Sequence, residues 1–191
     1  MIENLNDALA FYARREGEFA SFGASVLKRR NEPLDDLEVV VRELGLPESY
    51  ARCANDIQIE GVTLGFFDLC PGDTQSLYRS ILNLNTDARN PILPVNLLSV
   101  AAFDADLVAV SKGSPFHAVG TVYFADVTTS PKPEISAIAD NYVDFIVLAS
   151  ALDEAVLEGY DEPEAVVSGL ALRLGYESYV EKWKIIAGMV V

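Results

Sequence analysis

Between Leu97 and Ala125 the chain carries three short β-prone runs separated only by turns, and this stretch restricts the fold more than any other. "LLSVAAF", "LVAVS" and "VGTVYFA" (Leu97 to Phe103, Leu107 to Ser111, Val119 to Ala125) alternate small and apolar residues, and the corner Asp104-Ala105-Asp106 and the loop "SKGSPFHA" join them. Asp tolerates the backbone of a tight turn, so the corner reads as a hairpin and the three runs as an antiparallel meander. Helical periodicity lies on both sides of it. Helices, then an antiparallel meander, then helices is an α+β order, and it disfavours the βαβ alternation of a doubly wound nucleotide fold. We therefore expect a meander sheet flanked by N-terminal and C-terminal helices.

On the N-terminal side, Leu5, Leu9, Tyr12, Phe19, Phe22 and Val26 recur at three- and four-residue steps or their sums. This predicts a helix over 3–30, with Gly17 and Gly23 as points where it bends or breaks. "NEPLDDLEVVVRELGLP" predicts a second helix, with Asn31 as cap, Pro33 in the first turn, Leu34, Leu37, Val41 and Leu44 on one face, and Gly45 as stop. A short helical turn through Tyr50 and Cys53 comes next, and then "IQIEGVTLGFFDL" alternates like strands around Gly61 and Gly65. Asp73 or Thr74 is placed to cap a helix carrying Leu77, Ile81 and Leu84. Beyond the polar loop "TSPKPE", the segment "ISAIADNYVDFIVLASALDEAVLEGY" predicts a short extended entry and a long, mostly buried helix. One or two C-terminal helices within 161–188 complete the chain, which we read as one domain over 1–191.

Hydrophobic residues make up 50% of the 191 positions and charged residues 23%, the balance of a chain that folds. Charge interrupts every apolar run before the length of a bilayer span, and the N-terminus lacks a basic segment followed by an apolar one. A soluble, cytoplasmic protein without a membrane partner is the expectation. The 29 acidic and 14 basic side chains give a net charge of −15, which opposes binding to nucleic acid and favours encounter with a basic protein.

The inventory for catalysis is short. Cys53 and Cys70 have neither CxxC spacing nor histidine neighbours, so no zinc or redox motif is signalled, and both read as small buried thiols. His117 is the only histidine and sits in a loop between two predicted strands. No nucleophile elbow, zinc-peptidase or phosphate-loop motif occurs, and no cofactor is expected. Asp104 and Asp106 stand two residues apart, but a hard cation needs more oxygen ligands than this pair offers. Asp35, Asp36, Glu38 and Glu43 fall on polar helix faces or near helix starts. Phe66, Phe67, Tyr123, Tyr142 and Phe145 are expected in the core.

Taken in order, "LDDLEVVVRELGLPESY", "IEGVTLGFFDLCPG", "LLSVAAFDADLVAVSKG", the strand with Gly120, Val122 and Tyr123, and "ISAIADNYVDFIVLAS" resemble one family, the SUKH superfamily of Smi/Knr-like proteins. The resemblance spans about 34–152 and rests on the order of segments. The residues outside it are the N-terminal and C-terminal helices. It implies a non-enzymatic α+β module that binds proteins, similar to bacterial immunity proteins that neutralise toxins. Joined to the acidic charge, it leads us to expect Asp73, Asp104, Asp106 and Asp126 to face a basic partner such as a cognate toxin. Two other readings stand beside it: a small enzyme or ligand-binding domain using Asp104, Asp106 and His117, and a structural protein that assembles through its C-terminal helices.

Overall fold

The computed structural model describes residues 1–71, 76–86, 93–128 and 132–190. Helix α1 (Leu5–Ser21) starts at Asn4, whose side-chain oxygen accepts the backbone N–H groups of Asn6 and Asp7 at 2.9 and 3.1 Å. It buries Ala8, Phe11 and Tyr12 and ends where Gly23 turns to φ +75°. The apolar stripe therefore does not continue as a helix to Arg30, as its spacing predicts. Phe22 is 82% exposed, while Val26 and Leu27 are buried from an extended segment. That segment leads into β1 (Lys28–Arg29), which pairs antiparallel with β2 (Ile57–Gln58).

Helix α2 (Leu37–Leu44) begins later than Asn31 and Pro33 suggest. Asp36, at its entry, is committed elsewhere. Its carboxylate accepts the Ser76 hydroxyl at 2.7 Å and the Tyr78 backbone N–H at 3.1 Å, so it caps the first turn of α4 (Leu77–Thr86). The buried residue of α2 is Val40, and Val41 is exposed. Gly45 ends the helix with its N–H on the Val41 carbonyl, as the sequence indicates. Between α2 and α4, helix α3 (Glu48–Asp56) buries Tyr50 and Cys53, the two residues through which the sequence predicts a short helical turn. The Asp73 and Thr74 caps fall outside the described residues.

Six strands form one antiparallel sheet in chain order: β3 (Val62–Leu64), β4 (Phe67–Leu69), β5 (Leu97–Phe103), β6 (Asp106–Ser111), β7 (Val122–Asp126) and β8 (Glu134–Ala139). The three-strand meander is thus the centre of a larger one, extended by the β3–β4 hairpin and by β8, the short extended entry before the long helix. The fold is α+β, with seven α-helices among the described residues.

Helix α5 (Tyr142–Leu157) is apolar on almost its whole circumference, because it lies between the sheet and the other helices. Asn141 caps it. Phe145 meets Phe67 edge-on at 5.2 Å, and Tyr142 lies 4.4 Å from Tyr50. Helices α6 (Pro163–Arg173) and α7 (Val180–Gly188), joined through a 3₁₀ turn at Glu177–Tyr179, pack onto the same core. Trp183 of α7 is fully buried, and its indole N–H donates to the Ile138 carbonyl on β8 at 2.8 Å. That contact holds α7 against the last strand of the sheet.

Two acids of α5 are also inside. Tyr12 donates its hydroxyl to Asp153 at 2.7 Å, and Glu154 accepts the Ile2 backbone N–H at 2.6 Å. Burial pushes the Asp153 carboxyl up to about 6, against the opposing effects of Tyr12, Arg15 and the Gly65 backbone N–H. Among the described residues no helix is long and apolar enough to cross a membrane.

Candidate functional site

The corner singled out in the sequence is a two-residue turn. Phe103 and Asp106 face each other across β5 and β6, with Asp104 and Ala105 between them. Asp104 takes φ +52°, a left-handed conformation that Asp tolerates better than most side chains, and it is exposed. The neighbouring acid behaves differently. Asp106 points inward and retains only 8% of its exposure, with its carboxylate accepting the Val127 backbone N–H at 2.9 Å. Burial raises its pKa, and Asp126 and Asp104 add to the rise, while the Val127 N–H and Lys182 oppose it.

The four carboxylates expected on one exposed rim therefore do not share one situation. Asp104 is exposed, and Asp106 is a buried brace between β6 and the chain after β7. Asp126 is half-buried and holds the Thr128 N–H and hydroxyl at 3.0 and 2.7 Å. Asp73 lies outside the described residues.

The corner borders a cleft of about 280 Å³ lined by Phe66, Phe103, Asp104, Asp106, Thr128 and Met189 among others. Phe66, expected in the core, is 38% exposed and forms part of its wall. Apolar walls beneath a carboxylate suit the stem and head of a lysine or arginine from another protein. The sequence marks Phe66 as a core aromatic and gives no signal for Met189, because their meeting depends on α7 returning to the sheet. Lys182 was missed for the same reason. It is a buried cation 5.0 Å from the Phe124 ring centroid and 3.7 Å from Glu134.

His117 belongs to the opposite end of the sheet. Strand β6 runs five steps from Asp106 to Ser111, roughly 17 Å at the usual strand rise, and His117 lies beyond it. Its Nδ1 lies 2.9 Å from the Asn96 side-chain nitrogen, and its ring packs edge-on against Tyr123 at 4.9 Å. The fold does not bring Asp104, Asp106 and His117 together as an acid–base set.

A larger cleft, about 730 Å³, lies by β1 and the start of α2 and carries Lys28, Arg29, Arg30 and Arg79 with Glu32, Asp35 and Asp36. Several of its charges have structural partners: Arg30 pairs with buried Glu60 at 2.5 Å, Arg29 donates to the Asn6 side-chain oxygen at 2.7 Å, and Asp36 caps α4. The mixture of both signs leaves it no clear ligand chemistry, and it lies on elements far in sequence from the corner. Cys53 and Cys70 are free and buried, and burial lifts both thiols to about 12, so neither supplies a thiolate near neutral pH. Among the described residues no group of three or more His, Cys, Asp or Glu side chains is placed to hold a metal ion. Compared with family models, curated proteins and solved structures, the chain matches none.

Proposed function

We propose that this protein is a non-enzymatic protein-binding module, an immunity protein that neutralises a basic toxin by direct binding. The observation that carries the reading is the corner cleft, where exposed Asp104 stands over apolar walls from Phe66 and Met189 in a chain of net charge −15. A cationic side chain enters such a cleft with its stem against the rings and its head at the carboxylate, and the surrounding field speeds the encounter. The segment order that resembles SUKH proteins supports the same reading, because it surrounds this hairpin. Asp126 extends the acidic contact in this proposal, whereas Asp106 acts from inside by holding the turn. The cytoplasm, where a producing cell meets its own toxin, is the proposed location.

The test is association kinetics with the partner, sought by co-expression with the products of adjacent genes. Asp104→Asn together with Asp126→Asn is expected to slow association by about 3- to 10-fold at low salt and to flatten its salt dependence, with the melting temperature little changed. An association rate indifferent to both salt and these substitutions would remove the electrostatic account.

A further inference from the structure

We propose that the loop between β6 and β7 is a preformed apolar anchor that seats in an apolar, basic-rimmed pocket of a partner protein. This inference rests on the protein-binding reading but uses the opposite end of the sheet from the Asp104 cleft. Phe116 and Val119 are 88% and 65% exposed there, and Val95, from the segment before β5, is 89% exposed. Pro115 and Ala118 between them are exposed too. Single exposed apolar residues are ordinary on protein surfaces, but here they come from two segments that the structure ties together. The Asn96 side chain reaches His117 Nδ1 at 2.9 Å, and the Asn96 carbonyl accepts the Lys112 N–H at 2.8 Å.

The loop is braced from within. Ser114 and His117 exchange backbone hydrogen bonds at 2.9 and 3.3 Å. The Ser114 hydroxyl oxygen accepts the N–H groups of Phe116 and His117 at 3.2 and 3.1 Å. Ser111 donates its hydroxyl to the His117 carbonyl at 3.2 Å and accepts the Gly113 N–H at 3.0 Å. Gly113 holds φ +101°, and a Cβ there would stand 2.6 Å from a Val119 methyl, so the backbone passes directly under the apolar tip. An aromatic ring on so ordered a base loses little freedom on binding, which is how a small contact acquires affinity.

Charge selects the occupant. Asp140, exposed at this end, accepts the Tyr179 hydroxyl at 2.7 Å, and Tyr123, under His117, feels its charge. Glu48, ion-paired with Arg52 at 2.6 Å, precedes Ser49, which lies against Gly120 in the same loop, and Lys112 opens that loop, so the acidic excess that favours a basic partner is that of the whole chain, −15. Two copies of a chain with charge −15 repel, and so do the chain and an anionic bilayer. A partner protein with Lys or Arg around an apolar pocket meets both the ring and the field.

The experiment places the photoreactive residue p-benzoylphenylalanine at position 116 in the producing cells, with Leu172 on α6 as the control position. One protein adduct is expected at 116 and none at 172. Capture alone does not count. The captured protein is then purified, and its affinity for Phe116→Ser and Val119→Ser is expected to fall at least 10-fold and about 3-fold, with melting temperatures unchanged. No adduct, an adduct only with a second copy or with lipid, or undiminished affinity for Phe116→Ser overturns the proposal. If Asp104→Asn weakens association while Phe116→Ser does not, the anchor fails and the protein-binding reading stands. If neither does, both fail.

Discussion

The two ends of strands β5 to β7 treat polarity in opposite ways. At one end an acid, Asp106, is turned into the protein and bonded to Val127, and at the other an aromatic, Phe116, is turned out to water. The first end closes with a two-residue turn, where backbone pairing dictates which way each residue faces. The second closes with a longer loop that satisfies its own backbone groups through Ser111, Ser114 and His117. The difference teaches that residue type did not decide exposure here. The position of each residue in the hydrogen-bond pattern did.

This contrast has consequences that grow with burial. The largest concerns Asp153, which joins α5 to Tyr12 and to the Gly65 turn near the corner end. Its carboxyl is raised from 3.8 to about 6, so the folded state binds the proton more tightly than the unfolded chain does. The contribution of this group is therefore most favourable below pH 4 and declines as pH rises toward 6, by an amount on the order of 3 kcal/mol at 1.36 kcal/mol per unit. Denaturant melts of wild type and Asp153→Asn at pH 4 and pH 7 isolate it, since other titrations cancel. The variant is expected to gain on wild type by about 2–3 kcal/mol between the two pH values. A constant difference would show that Asp153 does not titrate in this range.

A smaller effect separates the two turns through their backbones. Gly113→Ala places a side chain at φ +101° and against Val119, and it is expected to cost about 1–3 kcal/mol in urea denaturation. Asp104→Gly removes a Cβ from a left-handed position and is expected to change stability by about 0.5 kcal/mol, in the stabilising direction. Equal costs at both positions would mean that the turns are not held as described.

Much of this architecture was legible in local pattern. The strand alternation around Asp104, the Gly45 stop and the apolar run of α5 each follow from a few adjacent residues. What escaped depended on distant partners. Helix α2 starts late because Asp36 serves α4, some forty residues on. The spacing of Phe22 and Val26 fits a helix, yet Gly23 turns the chain and Ser25 bridges to Val62 instead. Asp106 read as a rim residue because turns are usually exposed, and its bond to Val127 requires the return of β7. The cleft walls needed α7, and the Val95–Phe116 tip needed Asn96 to meet His117.

The most direct test of this inside-out arrangement is a side-by-side urea denaturation of Asp106→Ala and Phe116→Ser at neutral pH. Asp106→Ala leaves the Val127 N–H without its acceptor and is expected to lower stability by about 1–3 kcal/mol. Phe116→Ser removes a ring that touches mostly water and is expected to stay within about 0.5 kcal/mol of wild type. The reverse order, an aromatic whose loss unfolds the protein and an acid whose loss is silent, would contradict the account.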